Sequence, residues 1–411
     1  MTNIYRLALP LIAILASGCA VNEVITAEET PLVVASAPKD EGMLLDVGII
    51  EFEPNVPEDN NPENTRIYDE IRGAESRYLA YHLKSTMQGT GHWGAVRVIP
   101  STEAYTDIIV SATIVQSDGE FVELDVTVSD TIGEEWYTRR YGTQTGISSY
   151  SENRDRRQDP YQKVFNDIAN DLHAYVETLE PQYVTRLQQV SELRFFGDMS
   201  PDAYGEHLST ADDGMFTVVR LPAENDPAVA RLRQIRERDR LVVDMLNEHY
   251  ANFYYGIAIP YHEYRKASRE ESVNYRQVRR SATMQTIMGV VVLAGSLAYD
   301  TGDSDYQDRR VKRSLQGIGM RTGLNSIMAG MSRNSEASMH IEAIDELAES
   351  FGSEAAPMVV SIQGQTRRLT GTAEAQYESW RRLLRELYEA ETGFTNVIEV
   401  GEPVRAPEPT G

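Results

Sequence analysis

The sequence predicts an α+β fold in three parts. A segment with strand patterns comes first, a long helical region follows, and a small segment of mixed helices and strands ends the chain. Apolar residues at every second position indicate strands, and apolar residues three and four positions apart indicate helices. The chain has 411 residues, of which 41% are hydrophobic. It is therefore long enough for two or three hydrophobic cores.

The first part, residues 43–146, is predicted to be a domain with the order β-α-β-β-β-β. Met43–Phe52 is an apolar run typical of a buried strand. The helix that follows has its apolar positions on one face, namely Ile67, Ile71, Ala74, Tyr78 and Tyr81 or His82. The remaining strands are predicted at Ala95–Ile99, Asp107–Gln116, Val122–Val128 and Trp136–Tyr141, with turns at Ser117-Asp118-Gly119 and near Gly133.

This strand order, together with Thr106–Ile114 leading into Ser117-Asp118-Gly119, resembles a periplasmic lipoprotein domain. Similar domains occur in curli-secretion-type lipoproteins and in the auxiliary lipoproteins of lipid-moving ABC transporters. The resemblance covers about a quarter of the chain and implies an envelope location.

The central region, residues 147–336, is predicted to be helical. Asp159-Pro160 is expected to cap a first helix, which Pro181 breaks or kinks, and a second helix starts near Pro227. The inward residues of this second helix are predicted to be Val229, Leu232, Ile235, Val242, Met245 and His249. The residues assigned to its solvated face are Arg231, Arg233, Arg236, Glu237, Arg238 and Asp239.

Residues 281–331 are predicted to form a Gly-rich apolar hairpin of two helices. Ser281–Tyr299 carries no charged residue. The candidates for a helix crossing or an oligomer contact are Gly289, Gly295, Gly319 and Gly323, because small residues let helix backbones approach closely. Three interpretations stay open: packing within the domain, a subunit interface, and insertion into a membrane.

The last part, residues 337–402, is predicted to be a small α-β-β-α-β module, followed by a loose tail over 403–411. Its strands are Pro357–Gln363, Arg367–Gly371 and Phe394–Val400. A helix capped by Thr372 has the inward residues Tyr377, Trp380, Leu384, Leu387 and Tyr388. We expect this module to fold on its own.

This element order resembles the BON domain of bacterial envelope proteins. Gly364 followed by Leu369-Thr370-Gly371 is similar to that family's G-x-V-x-L-x-G pattern. Here one extra residue separates Gly364 from Leu369, and Thr366 replaces the usual Val. The resemblance implies attachment to phospholipid or other envelope surfaces, without catalysis.

The N-terminus has the pattern of a targeting segment. Residues 1–18 combine Arg6 with a short apolar stretch and small residues, as a bacterial signal peptide does. Ala16, Ser17 and Gly18 lead into Cys19, the only cysteine, and this resembles the lipobox of bacterial lipoproteins. Ala16 stands where Leu is usual.

The lipobox resemblance implies that Cys19 becomes the first residue and carries acyl chains, and residues 19–42 are then the acylated Cys and a tether. The absence of Asp at position 20 favours the outer membrane. We therefore expect an outer-membrane location facing the periplasm, attachment to the membrane through Cys19, envelope proteins as partners and a possible homo-oligomer.

The sequence contains no recognisable catalytic or metal-binding motif, and we therefore expect no enzyme, no cofactor and no metal site. None of the seven histidines stands three or four positions from another, and the sequence contains no G-x-S-x-G elbow and no phosphate-binding Gly loop. The acidic loop at 300–308 lacks the Gly and Glu of a calcium loop and is better explained as a solvated turn. A net charge of −24 argues against nucleic-acid binding.

An aromatic cluster around Pro260 is open to two interpretations, a stacking platform for a glycan and packing between helices. Its members are Tyr250, Phe253, Tyr254, Tyr255, Tyr261 and Tyr264. The expected function is a structural or assembly component of an envelope complex. The alternative is a lipid- or glycan-binding module that serves envelope transport.

Overall fold

The computed structural model describes residues 30–56, 69–151, 158–297, 345–346, 358–362 and 365–392. The fold is α+β, as the sequence predicted. The strands are β1 Val47–Ile49, β2 Val96–Val98, β3 Ile108–Ser117, β4 Phe121–Asp130, β5 Glu135–Gln144, β6 Leu208–Thr210, β7 Phe216–Val218, β8 Met358–Ile362 and β9 Gln365–Leu369. The helices are α1 Asp69–Gln88, α2 Gln162–Val176, α3 Pro181–Met199, α4 Pro201–Tyr204, α5 Pro227–Leu297 and α6 Ala373–Thr392.

The N-terminal domain is built on a five-stranded sheet with the order β2-β1-β3-β4-β5. β1 pairs in parallel with both β2 and β3, whereas β3, β4 and β5 are antiparallel. The predicted order β-α-β-β-β-β is confirmed. Val122, Leu124, Val126 and Val128 are buried and their neighbours are half-buried, as the alternation in the sequence predicted.

Two hydrophobic cores lie side by side. The first is formed by the sheet, α1, α2, the first half of α3 and the middle of α5. The second is formed by the rest of α3, the start of α5, β8, β9 and α6. Because α3 and α5 contribute to both, these two helices join the sheet domain to the C-terminal segment.

The central helices begin and end close to the predicted places. Pro181 is the first residue of α3 and α2 ends at Val176, so the predicted break is confirmed. The prediction that Asp159 caps a helix whose first residue is Pro160 is wrong, because α2 begins at Gln162. The Asp159 carboxylate accepts a hydrogen bond from the Tyr161 N–H at 2.8 Å and is buried beside Arg265. The hairpin of β6 and β7 was not predicted.

α5 is a single helix of 71 residues. Two assignments on it are wrong: Met245 is 41% exposed, whereas Asp239 is only 2% exposed. Asp239 lies four residues after Ile235 and three before Val242, which places it within the apolar stripe. Its burial shows that this stripe contains a carboxylate whose partners come from elsewhere in the chain.

The segment expected to be a tether is partly docked. The Asn170 amide accepts a hydrogen bond from the Val33 N–H at 2.9 Å and donates to the Pro31 carbonyl at 2.9 Å, and Asn166 donates to the Thr30 carbonyl at 2.7 Å. Residues 30–33 therefore lie along α2. Residues 19–29, the rest of the predicted tether, lie outside the described residues.

The C-terminal segment keeps its predicted β-β-α order where it is described, but it shares its core. Thr372 accepts a hydrogen bond from the Ala375 N–H, as predicted for a helix cap. The predicted inward residues of α6 are all buried, and they pack against α3 and α5. Most of the predicted first helix and all of Phe394–Val400 lie outside the described residues.

Candidate functional site

A polar cleft of about 640 Å³ lies where α3 and α5 pass the amino ends of β1 and β3. Four carboxylates and three guanidinium groups line it: Asp46, Asp107, Glu192, Glu237, Arg233, Arg236 and Arg240. The two signs of charge are nearly balanced. A cleft of this size, lined by many hydrogen-bonding and charged groups, can hold a small polar ligand, so we take it as the candidate site.

The two aspartates of the cleft are neighbours because of strand pairing. Val47 lies opposite Ile108 in the parallel pair, so the residues before them, Asp46 and Asp107, also come together. The Asp46 N–H donates to Asp107 Oδ2 at 2.9 Å. Burial raises the pKa of Asp107, and the Asp46 carboxylate acts in the same direction. Asp107 therefore accepts a proton more readily than an exposed aspartate does.

Ser191 of α3 connects these carboxylates to α5. Its hydroxyl donates to Asp107 Oδ1 at 2.7 Å and accepts from Arg236 Nη2 at 2.8 Å. Beside it, Arg240 Nη2 donates to Asp46 Oδ2 at 2.9 Å. Burial, together with the charge of Arg240, lowers the pKa of Arg236.

This arrangement offers hydrogen-bonding groups, and it pairs the Ser191 hydroxyl with a carboxylate and not with an imidazole. The Ser191 proton points to a carboxylate, and no histidine is among the residues that line the cleft. Activation of a serine normally needs a base such as imidazole. The hydroxyl, amide and charged groups present can instead hold a ligand that carries hydroxyl or amide groups.

The sequence pattern singled out only some of the residues that line the cleft. Arg233, Arg236 and Glu237 were placed on a solvated face, and they border the cleft, whereas Asp46, Asp107 and Ser191 were not singled out. The available signal was an Asp directly before each of two strands. That signal becomes informative only once the strands are known to be parallel neighbours, because only then do their amino ends meet.

The aromatic cluster around Pro260 packs between helices, which is one of its two predicted interpretations. Tyr250, Phe253, Tyr261 and Tyr264 are buried, and Tyr254 stacks on Tyr78 with ring centroids 4.5 Å apart. Tyr255 is the exception, with 68% of its surface exposed.

A buried ion pair lies within this cluster. Arg265 of α5 donates through Nη1 and Nη2 to the two carboxylate oxygens of Asp159, both at 2.9 Å. The guanidinium carbon lies 4.2 Å from the Tyr261 ring centroid and 4.8 Å from that of Tyr161. Burial acts against ionisation, but the charge of Arg265 holds the pKa of Asp159 below its usual range. The pair fixes α5 against the start of α2.

A second buried arginine fixes the C-terminal segment. Arg381 of α6 pairs with Asp198 of α3 and lies 3.5 Å from Asp239 of α5. Tyr377 and Trp380 also donate to the Asp239 carboxylate, at 3.1 and 3.2 Å. Asp239 therefore accepts hydrogen bonds from three side chains of α6.

Two histidines stack where the N-terminal segment docks. The ring centroids of His92 and His173 are 3.5 Å apart, with planes 12° from parallel. Burial lowers the pKa of both rings, and the charge of Lys39 acts in the same direction on both. His92 also lowers the pKa of His173. Glu177 pairs with Lys39 beside the stack.

The predicted lipidation site and the remaining glycines are not tested by the structure. Cys19 and its lipobox residues Ala16, Ser17 and Gly18 lie outside the described residues, as do Gly319 and Gly323. Gly289 and Gly295 lie in the last part of α5, which is helical, but the side chains around them are outside the description. The acidic loop at 300–308 and His340 also lie outside it.

Comparison with protein-family models, with curated proteins and with solved structures yields no match to this chain. Within the residues that the structure describes, no helix is long and apolar enough to cross a membrane. The same residues contain no group of three or more His, Cys, Asp or Glu side chains that could hold a metal ion.

Proposed function

We propose that this chain is an outer-membrane lipoprotein that faces the periplasm and acts as a non-catalytic structural or assembly component of an envelope complex. The observation that carries the proposal is the length of α5. Its 71 residues correspond to about 106 Å of helix at about 1.5 Å per residue. A helix of this length can connect the sheet domain to a partner some distance away.

The described contacts between α5 and the sheet domain extend as far as Arg276. Arg276 pairs with Asp118 in the turn between β3 and β4, at 3.3 Å. Beyond it the helix continues through residues 277–297, which add about 30 Å. This continuation carries the uncharged segment that begins at Ser281, the first helix of the predicted hairpin, and we assign the partner contact to it.

The docked N-terminal segment supports an orientation close to the membrane. Ten residues lie between Cys19 and Thr30, the first described residue, and the eleven Cα–Cα steps that join the two span at most about 40 Å when fully extended. An acylated Cys19 would therefore hold the exposed side of α2 near the lipid surface.

The anchor is tested by Cys19→Ala with metabolic palmitate labelling and membrane fractionation. We expect the wild-type chain to be labelled and found in the outer membrane, and the variant to be unlabelled and unprocessed or soluble. Ser17→Ala, which keeps a small residue in the lipobox, is the matched control and should be labelled normally. A wild-type chain that is soluble and unlabelled would contradict the proposal.

The partner contact is tested by site-specific photo-crosslinking in the envelope. A crosslinker at Leu293, in the continuation of α5, should give discrete protein adducts. A crosslinker at Tyr255, which is exposed on the domain part of the same helix, is the control and should give few. Adducts absent at Leu293 would remove the support for an assembly role.

The polar cleft favours a second candidate, a glycan-binding module that serves envelope transport. Its balanced charges and its hydroxyl and amide groups suit a saccharide better than an acyl chain. Calorimetry with a peptidoglycan-derived disaccharide tests this. Binding that is lost in Ser191→Ala would support it, whereas no heat with the wild-type chain would leave the assembly role as the sole proposal.

A further inference from the structure

A second, smaller pocket combines aromatic rings with carboxylates. It has a volume of about 260 Å³ and lies between the start of β5 and the connection from α2 to α3. Three aromatic residues and two acidic residues dominate its lining: Trp136, Tyr175, Tyr183, Glu134 and Glu180. The remaining lining residues are Thr178 and Leu179, so no Lys, Arg or His from the described part of the chain faces it.

Two of the three rings of this aromatic pocket are held in place by one buried carboxylate. Asp130, which is 2% exposed, accepts hydrogen bonds at Oδ2 from Trp136 Nε1 at 2.8 Å and from the Tyr183 hydroxyl at 2.5 Å. Its Oδ1 accepts from three backbone N–H groups of the β4–β5 turn. Tyr175 stacks on Trp136 with centroids 4.9 Å apart. The pocket is therefore built before any ligand arrives.

The charge of the aromatic pocket is negative and is not balanced from within. The Tyr183 hydroxyl also donates to Glu134 Oε2 at 2.9 Å. Burial, followed by the charges of Glu134 and Asp130, raises the pKa of Tyr175. A cation that enters would meet the exposed parts of the Tyr175 and Tyr183 rings and the field of the carboxylates.

We propose that the aromatic pocket binds an organic ammonium ion of the choline type. Aromatic rings attract alkylated ammonium groups through their electron-rich faces, and the carboxylates add Coulombic attraction without requiring a hydrogen bond from the ligand. A pyranose is less suitable, because Trp136 is only 9% exposed and Tyr175 is stacked on it. This inference does not depend on the proposed assembly role.

The test is a calorimetric titration of the full chain with choline chloride. The neutral isostere 3,3-dimethylbutanol has the same shape without the charge. We expect saturable binding of choline and none of the isostere. Equal binding of both, no binding of choline, or preferential binding of methyl glucoside would each overturn the proposal.

Variants identify the pocket as the site. Tyr175→Leu should weaken choline binding roughly 3- to 30-fold, the range of a cation–π contact. Tyr175→Phe, which keeps the ring, should bind as the wild type does. Glu180→Gln removes charge at an exposed position where the fold is not at risk, and it should also weaken binding. Tyr255→Leu and Glu248→Gln, exposed on α5, are the matched controls and should change nothing.

Two sources can supply such an ammonium group, a free solute and a lipid head group. Vesicles of phosphatidylcholine distinguish them in a flotation assay with a chain that begins at Ala20, which lacks both the predicted signal segment and the predicted anchor. Binding to vesicles that Tyr175→Leu weakens assigns the site to head groups. Binding of free choline without vesicle binding assigns it to a solute. If Tyr175→Leu and Glu180→Gln both bind choline as the wild type does, the aromatic pocket is not the site.

Discussion

Arg265 and Asp159 form a bidentate ion pair in which both nitrogen–oxygen distances are 2.9 Å and both side chains are almost completely buried. This ion pair joins the middle of the 71-residue helix α5 to a residue that lies three positions before the start of α2. A buried charge without its partner is costly, so each residue makes the other necessary. The contact lies in the first core, which the N-terminal sheet and α5 share.

We expect Arg265→Met to lower the free energy of unfolding by about 3–5 kcal/mol, because it leaves the Asp159 carboxylate buried without its cation. Urea unfolding measures this. Arg238→Met, the same substitution at an exposed position of α5, should change stability by less than about 0.5 kcal/mol. If Asp159→Asn added to Arg265→Met restores none of the loss, the two residues are not coupled.

The stacked pair His92 and His173 predicts a loss of stability at mildly acidic pH. The pKa of each ring is lowered in the folded chain, so the unfolded chain binds protons more readily. Stability should therefore be full above about pH 6.5 and should decrease as the pH falls below it. His92→Phe with His173→Phe keeps two flat rings without titration. The decrease in the urea concentration at the unfolding midpoint, from pH 7.5 to pH 5.5, should be smaller in this variant than in the wild type.

Replacement of Gly119 and of Gly214 by Ala distinguishes the cost of backbone strain from the cost of steric overlap with α5. Both have positive φ, +79° and +85°. A Cβ on Gly119 would lie 2.1 Å from the Arg265 carbonyl oxygen of α5, whereas nothing lies within 4 Å of one on Gly214. Both changes to Ala should cost about 1–2 kcal/mol of backbone strain, and Gly119→Ala should cost about 1–3 kcal/mol more. Equal melting temperatures for the two variants would mean that α5 does not press on this turn.

The C-terminal segment should not fold alone, which revises the expectation from its sequence. Its apolar helix face packs on α3 and α5, and Arg381 depends on Asp198 and Asp239 for its pairing. Isolated residues 337–402 should therefore be largely disordered by circular dichroism. In the full chain, Trp380→Ala should cost about 3–5 kcal/mol. Arg381→Met should be strongly destabilising, and Arg382→Met, its exposed neighbour, should be nearly silent.

The predicted apolar hairpin is tested by Gly323→Leu. Leu adds bulk that a close helix crossing cannot accept, so the variant should lose either stability or its oligomer. A lower melting temperature in a monomer indicates an internal crossing. An intact fold with a smaller mass by light scattering indicates a subunit interface. Lipid-dependent protection of residues 284–298 in the wild type indicates insertion. Arg309→Leu is the control, and a Gly323→Leu variant that matches it would remove the case for a crossing.

Sequence patterns alone determined the local elements of this protein. The alternation of Val122, Leu124, Val126 and Val128 specified a strand with one buried face. Pro181 marked a helix break, and Pro227 marked a helix start. These features depend on the spacing of apolar residues along the chain and on the backbone restriction of proline, and both are local properties of the sequence. The order β-α-β-β-β-β along the chain followed from them, whereas the arrangement of the strands within the sheet did not.

Only the tertiary structure decided which polar residues matter. Asp239 looked solvated among its charged neighbours, yet it is buried because α6 covers it with Tyr377, Trp380 and Arg381. Asp159 looked like a helix cap, yet it pairs with Arg265, more than a hundred residues away. A buried charge is stable only where a partner offsets its loss of hydration. Here that partner is distant in the sequence, so the spacing of neighbouring residues cannot identify it.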